Sequence, residues 1–292
     1  MDLKKYIHGF QRQDQDGIWQ DTQGKEVSGM FSNQLQDRLF ALEDQSWWFR
    51  YRAGVICMFA AKYLRKDRDI FDVGGGNGYT TMCMQKKGYA VALLEPSYGA
   101  CINAVNRGIR TVVCGTLDQE HVTDDSVPQF LLLDVLEHMQ DDAAFLKLMG
   151  KKLSSGGRIL LTVPAFEALW SSEDTAAGHY RRYTVRQLKE TAQHAGLHVC
   201  YAGYFFGFLV IPILLVRVWM EKAGFRKPQG ERTEDEKKRV QEKQFLEKKG
   251  LVQTGRKLME SVERRNLKRG KKIKFGSSIV CVLEKDSDKS SG

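Results

Sequence analysis

The sequence predicts an α/β protein built on a doubly wound, mostly parallel sheet. Two observations support this prediction. Strand and helix patterns alternate strictly from about residue 69 to residue 164, and the strand patterns are almost continuously apolar. Strands that are apolar on both faces indicate a sheet covered by helices on each side. Successive strand–helix–strand units are typical of a doubly wound domain with parallel strands.

The elements follow in order along the chain, after a helical pattern over residues 32–64. The predicted strands are 69–73, 90–96, 110–115, 130–135, 158–164, 198–206 and 277–285. The predicted helices after the first strand are 79–88, 98–108, 142–157, 184–197, 206–220 and one around 253–266. Helices 79–88 and 98–108 end at glycine, a common helix stop, and Thr184 is placed to cap helix 184–197.

Composition and charge set limits on the class of protein. The chain has 292 residues, of which 42% are hydrophobic and 28% are charged, as in ordinary globular proteins. The net charge of +9 is concentrated in two runs, near residues 222–249 and 264–275. Because no known nucleic-acid motif accompanies these runs, we expect solvated charged segments and no nucleic-acid partner.

The six cysteines are scattered and none forms a CxxC pair, which favours buried thiols in a reducing compartment over disulfides or zinc. The first residues show no apolar signal segment, so we expect a cytoplasmic location. We divide the chain into an N-terminal extension (1–45), a main α/β domain (46–285) with a helical, charged insertion at 205–270, and a disordered tail (286–292).

The apolar run over 205–219 raises the question of a membrane contact. A membrane span needs about 20 apolar residues, and this run is shorter and is interrupted by Pro212 and Arg217. It also lies between two strands of one sheet, which argues against a span. Two interpretations stay open: a helix that packs on the domain or covers the acceptor pocket, and a peripheral contact with a membrane surface.

The most informative motif is "FDVGGGNGY", which closes the first strand and spans residues 71–79. A phosphate-binding P-loop requires a lysine that this motif lacks, and the dinucleotide fingerprint requires a third glycine where Tyr79 stands. The pattern is DxGxGxG instead, and Glu95 ends the second strand about twenty residues later, where an acid accepts from ribose hydroxyls. This combination fits a nucleoside ligand without a pyrophosphate.

The stretches "DVGGGNGY", "ALLEPS" and "LLLDVLEHMQDD" together resemble the class I S-adenosylmethionine-dependent methyltransferases, over roughly residues 40–285. The resemblance implies a Rossmann-like sheet of seven strands with an antiparallel last strand, and a helical N-terminal cap. It also implies S-adenosyl-L-methionine as cofactor and S-adenosyl-L-homocysteine as product. The cofactor-binding residues that it implies are Asp72, Gly74, Gly75, Gly76, Asn77, Gly78, Glu95, Pro96, Gly115, Thr116, Leu117, Asp134 and Val135.

Within that family, the glycines are expected near the methionine part of the cofactor and Glu95 at the ribose. Asp72 is expected to order the loop or to meet the cofactor's amino group through water. The family usually has an acidic residue after the third strand to hold the adenine amine, and this chain has "CGTLDQ" there, in which Gly115, Thr116 and Leu117 directly follow the strand. Adenine is therefore expected to be held by backbone and packing.

A narrower resemblance involves "ALEDQSWWFRYR" and "PAFEALWSSEDTAAGHYRRYT", which are similar to segments of bacterial type-11 and type-23-like methyltransferases of cell-surface carbohydrate or lipid-linked pathways. Such a relationship implies a small or lipid-linked acceptor, methylated at oxygen or nitrogen. The acceptor-site candidates are Trp48, Arg52, His138, Tyr180, Arg181 and Arg182.

His179, paired with Asp174, is the candidate general base, although a hydrogen-bonded structural histidine is an equal alternative. The two neighbouring arginines suggest an acceptor that carries a phosphate or a carboxylate. No cluster of ligands at metal-binding spacing is visible, so no metal is expected.

Two other classes of function stay open from sequence. A nicotinamide-dependent oxidoreductase is disfavoured by Tyr79 and by the lack of a YxxxK pair. A non-catalytic cofactor-binding or membrane-peripheral module is disfavoured by the presence of the glycines and of Glu95. The sequence gives no prediction of oligomeric state.

Overall fold

The computed structural model describes residues 1–12, 15–21, 33–117, 121–225, 227–233, 236, 239–240, 246 and 250–286. A single sheet of nine strands runs through the described part of the chain, in the order β1-β2-β5-β4-β3-β6-β7-β9-β8. The strands are β1 Phe10–Arg12, β2 Trp19–Asp21, β3 Ile70–Val73, β4 Val91–Glu95, β5 Val112–Cys114, β6 Val127–Leu133, β7 Leu153–Pro164, β8 His198–Phe205 and β9 Ser278–Glu284.

The α/β class and the antiparallel last strand are confirmed. Strands β3 to β7 are parallel, and β9 runs antiparallel to both of its neighbours, β7 and β8. The expected count of seven strands is corrected to nine. The extra strands, β1 and β2, form a short antiparallel hairpin, and β2 pairs in parallel with β5. These strands have three residues each and carry no buried side chain, so their pattern in the sequence is weak.

The α-helices are α1 Asn33–Glu43, α2 Trp47–Tyr63, α3 Tyr79–Lys86, α4 Tyr98–Asn106, α5 Asp142–Lys152, α6 Ser172–Ala176, α7 Val185–His194, α8 Val210–Ile213, α9 Met220–Lys222 and α10 Leu251–Lys268. A π-helical stretch, Leu214–Trp219, joins α8 to α9. Short 3-10 helices occur at Leu3–Lys5, Leu136–His138, Glu167–Leu169, Gly207–Leu209 and Gln229–Glu231.

Two predicted boundaries are corrected. The helical pattern over 32–64 is split in two, because Ser46 caps α2 by accepting hydrogen bonds from the amides of Trp48 and Phe49. The helix predicted for 142–157 ends at Lys152, and the following residues already belong to β7. Gly156 has φ = 64°, which a strand residue with a side chain rarely adopts. Gly156 and Gly157 therefore belong to an irregular part of β7 and do not end the helix.

Apolar layers cover both faces of the sheet. On one face, Leu146 of α5 and Leu188 of α7 are fully buried against Phe130 of β6. On the other face, Val55 and Phe59 of α2 are buried in a second cluster. Every β3 and β4 residue is buried, which explains why these strands are apolar almost throughout.

Helix α10 is tied to the sheet through Glu263, a buried carboxyl at 7% exposure. Its oxygens accept hydrogen bonds from the Tyr51 hydroxyl and from the amides of Phe206 and Gly207, each at 2.7 Å. Phe206 is in a left-handed conformation with φ = 60°. These bonds fix the point at which the chain leaves β8 and crosses the carboxyl ends of the parallel strands. We call residues 207–225, which follow this point, the cover segment.

Among the described residues, no helix combines the length and the apolar character that crossing a membrane requires. Within the N-terminal extension (1–45), α1 packs on α4 and β2 pairs with β5 at the edge of the sheet. The predicted tail beyond residue 286 and most of the charged region from 226 to 249 lie outside the described residues.

Candidate active site

A cavity of about 1030 Å³ opens at the carboxyl ends of β3, β4 and β6. Ligand sites of open α/β sheets lie at this edge. The cavity is at the upper end of the range for small-molecule sites, roughly 300–1,000 Å³. Its walls include residues from α1, α2, the β3 loop, the β6 end, the 164–182 segment and the cover segment. A space of this size accommodates a nucleoside cofactor together with a second molecule.

The glycine loop forms one wall, and its shape depends on missing side chains. Gly74 has φ = 68°, and a Cβ there would lie 2.6 Å from a methyl carbon of Val135. A Cβ on Gly75 would lie 2.8 Å from Leu93. Gly76 has φ = 54°, and apart from its chain neighbours no described atom lies within 4 Å of the place of a Cβ, so its backbone faces open space. The loop therefore offers bare backbone to a ligand.

Glu95 stands at the end of β4 beside this loop. Its two oxygens accept hydrogen bonds from the backbone amides of Gly76 at 3.0 Å and Ser97 at 2.9 Å. Burial raises the pKa of this carboxyl, and the two amide bonds oppose the rise. The carboxyl is also part of the cavity wall. A carboxylate that is fixed in this way keeps lone pairs for the two hydroxyls of a ribose.

Asp72 and Gly78 lie behind the loop rather than in the cavity wall. Asp72 is 1% exposed and accepts a hydrogen bond from the Thr81 hydroxyl. Burial raises the pKa of Asp72 to about 6, while Thr81 and Arg52 oppose the rise. Of the two roles expected for Asp72, this position favours ordering of the loop from β3 to α3.

The residues expected around adenine follow β5. Gly115, Thr116 and Leu117 line the cavity beside Pro96. The amide of Gly115 donates to the Glu95 carbonyl at 3.1 Å, and a Cβ on Gly115 would lie 2.9 Å from the Phe10 ring. Residues 118–120 lie outside the described residues.

Helix α1 contributes a set of contacts that the sequence did not predict. Asn77 of the glycine loop donates to the Gln36 carbonyl and to Glu43 at 3.1 and 3.3 Å. Arg107 pairs with Glu43 and donates to the Asn77 carbonyl at 3.0 Å. Gln36 and Glu43 also line the cavity. The only sequence signal for this network is an acidic residue in "ALEDQ" at the end of a helix.

Asp134, at the end of β6, is paired with Arg52 of α2. Their closest atoms are 2.8 Å apart, and Thr162 bridges the two side chains. Asp134 has φ = 58°, so the strand ends sharply there. The guanidinium of Arg52 lies 5.6 Å from the centre of the Trp48 ring. Arg52 and Trp48 thus line the cavity as predicted, but the charge of Arg52 already has a carboxylate partner.

Asp174 brings together His179 and Arg182, which both line the cavity. Nδ1 of His179 lies 2.9 Å from a carboxyl oxygen of Asp174. Arg182 donates two hydrogen bonds to the same carboxyl, at 2.8 and 3.0 Å, and a third to the Ala165 carbonyl. Although burial raises the pKa of Asp174, His179 and Arg182 outweigh it and hold that pKa below its usual value. The predicted His179–Asp174 contact is therefore present.

Glu137 and His138 follow β6 in a short 3-10 helix and also line the cavity. Glu137 is 1% exposed, and neither of its carboxyl oxygens has a hydrogen-bond partner among the residues that the structure describes. The rings of His138 and His179 meet edge to face, 4.7 Å between centres. Burial and the neighbouring His179 lower the pKa of His138 to about 4. Glu137 was not among the predicted site residues, since an acid also suits a helix start.

The structure places two acceptor-site candidates outside the cavity. Tyr180 is 56% exposed, and Arg181 pairs with Asp142 at 3.0 Å and donates to the Gln140 carbonyl. Since Arg182 is saturated by Asp174, both arginines already have anionic partners. The hypothesis of an anionic acceptor thereby loses the residues on which it rested.

The cover segment closes the remaining side of the cavity. The cover-segment residues that line it are Leu209, Pro212, Ile213 and Val216, together with the aromatic residues Trp47, Trp48 and Phe49 of α2. Trp48 stacks on Phe206 with ring centres 5.6 Å apart. We call Trp48, Glu137, His138, His179 and the inner side of the cover segment the acceptor wall. It is apolar except for the Glu137–His138–His179 cluster.

A mostly parallel sheet in which β9 runs antiparallel beside the edge strand β8, a bare glycine loop after β3 and an acid at the end of β4 define a class I S-adenosylmethionine-dependent methyltransferase. A family model described as a methyltransferase domain matches residues 46–202, over half of the chain. The chain belongs to this methyltransferase family, and its cofactor is S-adenosyl-L-methionine. No curated protein matches the sequence.

Solved structures share the fold at low sequence identity. A chain in the complex between the Haloferax volcanii Trm112 methyltransferase activator and a methyltransferase is 16% identical, with a TM-score of 0.53 over 87% of this chain and 95% of that chain. A Thermotoga maritima S-adenosylmethionine-dependent methyltransferase is 17% identical, with a TM-score of 0.51 over 87% and 95%. Phosphoethanolamine N-methyltransferase 2 of Haemonchus contortus, in complex with S-adenosyl-L-methionine, is 13% identical, with a TM-score of 0.50 over 80% and 52%.

Proposed function

We propose that this methyltransferase acts on a small or lipid-linked acceptor with a large apolar part, at an oxygen or nitrogen atom. The observation that carries this proposal is the single cavity in which the glycine loop and Glu95 face the same space as an apolar acceptor wall. Apolar walls with few polar groups are typical of sites that orient a hydrophobic molecule through a small number of polar contacts.

The residues around the glycine loop fit the cofactor. The bare backbone of Gly74, Gly75 and Gly76 would lie against its methionine part, Glu95 would accept from the ribose hydroxyls, and residues 115–117 would pack on adenine. When bound, the cofactor supplies an activated methyl group on a sulfonium centre. The protein's own part is to align the acceptor and to help remove its proton.

His179 is the residue that we propose for activating the acceptor. With the proton on Nδ1, His179 would donate a hydrogen bond to Asp174, and the lone pair of Nε2 would then face the cavity beside Glu137. Arg182 holds the Asp174 carboxyl in place from its other side. In its simplest form the role of His179 is that of a general base, because its lone pair can take the proton of an acceptor hydroxyl or amine.

We further propose that the cover segment rests on a membrane surface when the acceptor is lipid-linked. Its inner residues line the cavity, while Ile211, Leu215, Trp219 and Phe225 are between 52% and 73% exposed. Exposed apolar groups of this size next to basic residues such as Lys222 are typical of peripheral membrane contacts. An acceptor could then reach the cavity from the lipid without crossing water.

The proposal is tested by incubating the purified chain with cofactor that carries a labelled methyl group. The acceptors would be matched pairs that share an apolar tail and differ only in a hydroxyl or an amino headgroup. Transfer of label to one member of a pair would support the proposal and identify the acceptor atom. Efficient methylation of water-soluble acceptors that have no apolar part, with none on the tailed pairs, would contradict it.

A further inference from the structure

Three potential metal ligands meet in the acceptor wall: the carboxyl of Glu137 and the imidazoles of His138 and His179. One ligand atom from each lies within 4.8 Å of the other two. Glu137 Oε1 and His179 Nε2 are 4.0 Å apart. The three residues come from two separate loops, after β6 and after α6, so that only the fold brings them together.

The Glu137 carboxyl stands out because nothing in the described structure satisfies it. It is 1% exposed, and both of its oxygens lack a hydrogen-bond partner. A buried carboxyl that lines a cavity without a partner is costly to keep. The missing partner is therefore expected to be a cation or a donor that enters the cavity.

His179 is already held as metal-bound histidines usually are. Its Nδ1 is engaged by the Asp174 carboxyl at 2.9 Å, and Asp174 is itself fixed by Arg182. Metal-ligating histidines commonly donate one ring N–H to a carboxylate, which fixes the tautomer and directs the other nitrogen to the ion. In this protein the other nitrogen, Nε2, faces Glu137.

We infer that Glu137, His138 and His179 bind one divalent first-row transition ion, of the zinc, iron or cobalt kind, and that this ion holds an oxygen of the acceptor. Two imidazoles and one carboxylate suit such ions and leave coordination positions open, whereas magnesium and calcium prefer sets of oxygen ligands. Around a tetrahedral ion with bonds of about 2.0–2.2 Å, ligand atoms lie about 3.3 Å apart. Glu137 Oε1 and His179 Nε2, 4.0 Å apart, would therefore need to approach by about 0.7 Å, and the most distant pair of ligand atoms by up to about 1.5 Å.

This inference rests on the proposed function, and it narrows the acceptor class to molecules with a hydroxyl group. An ion at this place lowers the pKa of a hydroxyl that binds it. The acceptor hydroxyl then loses its proton to solvent, and its oxygen forms the new bond to the methyl carbon. The carbon–sulfur bond breaks, and its electron pair stays on sulfur. His179 would activate the acceptor as a ligand of the ion rather than by taking the proton itself.

The sequence alone predicted no metal, because His179 is some forty residues from His138 and the three ligands show no motif spacing. The glutamate also follows a strand end, where an acid is favoured at the start of a helical turn.

The test uses the full chain without a histidine tag, treated with a chelator and dialysed. Zinc and cobalt(II) are titrated separately by calorimetry, and the visible spectrum of cobalt(II) is recorded. We expect one ion per chain with micromolar affinity, and a rise of the thermal midpoint by roughly 5 °C at one hundred times the dissociation constant. The isosteric variant Glu137→Gln should weaken binding at least tenfold and lose the thermal shift.

His198→Gln removes an exposed histidine on β8, and this matched control should bind the ion like the wild type. Affinity for S-adenosylhomocysteine is measured on every variant. If Glu137→Gln still binds this product normally, the variant is folded and the methyltransferase site is intact. Absence of ion binding by the wild type, or equal binding by Glu137→Gln, would overturn the inference alone. A wild type that binds the ion but not S-adenosylhomocysteine would overturn the proposed function instead.

Discussion

The amide of Gly76 donates a hydrogen bond to the Glu95 carboxyl at 3.0 Å, joining the loop after β3 to the end of β4. The second oxygen of Glu95 accepts from Ser97 at 2.9 Å, at the cap of α4. One side chain therefore holds the glycine loop against the start of the next helix. The same side chain lines the cavity, so that its replacement should affect both loop position and ligand binding.

We predict that Glu95→Ala weakens binding of S-adenosylhomocysteine by about 1–3 kcal/mol, or roughly five- to 150-fold. The cost arises because the ribose hydroxyls lose a charged acceptor. Wild-type affinity is expected in the micromolar range, about −8 kcal/mol. Calorimetry measures both values. Glu190→Ala, an exposed glutamate on α7, is the control and should leave affinity unchanged. Equal affinities for wild type and Glu95→Ala would show that the carboxyl does not meet the ribose.

The network of α1 leads to a prediction about stability. Arg107 has a side chain 3% exposed and bonds to Glu43, Phe40 and Asn77. Arg107→Met would leave the Glu43 carboxyl buried without its cation, and we expect a loss of about 3–5 kcal/mol in the free energy of unfolding. Denaturant unfolding measures this loss.

The double variant Glu43→Gln/Arg107→Met also removes the buried carboxyl that has lost its cation, and it should recover part of the stability. Arg186→Met is the matched control, because Arg186 forms an exposed i,i+4 pair whose closest atoms are 3.8 Å apart. It should cost under about 1 kcal/mol. If Arg107→Met lowers the free energy of unfolding by a similarly small amount, the Glu43–Arg107–Asn77 network does not stabilise the glycine loop.

Much of the fold follows from local pattern, and parts of the site do not. The β3 loop and Glu95 are visible in the sequence because backbone geometry restricts their residue types. The Glu43–Arg107–Asn77 network joins residues from three elements, and no short-range pattern connects them. The arginines after β7 show the same limit. Their sequence suggests anion binding, but Asp174 and Asp142 neutralise them within the fold.

Asp72 gives a pH dependence with a defined sign. Its pKa is about 6 in the folded protein against an ordinary value of 3.8, mainly because of burial. A carboxyl whose pKa is higher in the folded than in the unfolded protein stabilises the folded state only while it is protonated. Stability attributable to Asp72 therefore falls as the pH rises from about 4 to 6, by about 3 kcal/mol in total.

Asp72→Asn has no such titration, and it should gain stability relative to the wild type across that pH window. Urea unfolding of both proteins at intervals from pH 4 to 7 measures the difference, in which the titration of other groups, Glu95 included, largely cancels. A stability difference that stays constant with pH would show that the Asp72 carboxyl titrates normally.

The cover segment leads to a prediction about membranes. Leu215→Ser and Trp219→Ser change side chains that are 52% and 58% exposed, so that folding should be little affected. If the segment rests on lipid, the double variant should bind anionic phospholipid vesicles at least tenfold more weakly, because it loses buried apolar area. Vesicle sedimentation measures binding. Leu258→Ser, an exposed leucine on α10, is the control. Wild type that stays in the supernatant with anionic vesicles would rule out the membrane contact.

His179 leads to the last prediction, which concerns turnover. Its Nε2 lies 4.0 Å from Oε1 of Glu137, and its Nδ1 lies 2.9 Å from a carboxyl oxygen of Asp174. His179→Ala should lower kcat by about 10²–10⁴-fold, while affinity for S-adenosylhomocysteine stays near wild type, because the imidazole acts on the acceptor only. This holds whether Nε2 takes a proton or binds an ion.

Asp174→Asn is a poorer test, since it also removes the charge partner of the buried Arg182. His198→Ala, which changes an exposed histidine at the start of β8, is the control, and transfer of labelled methyl is the measurement. An unchanged kcat in His179→Ala would mean that the histidine only shapes the cavity wall.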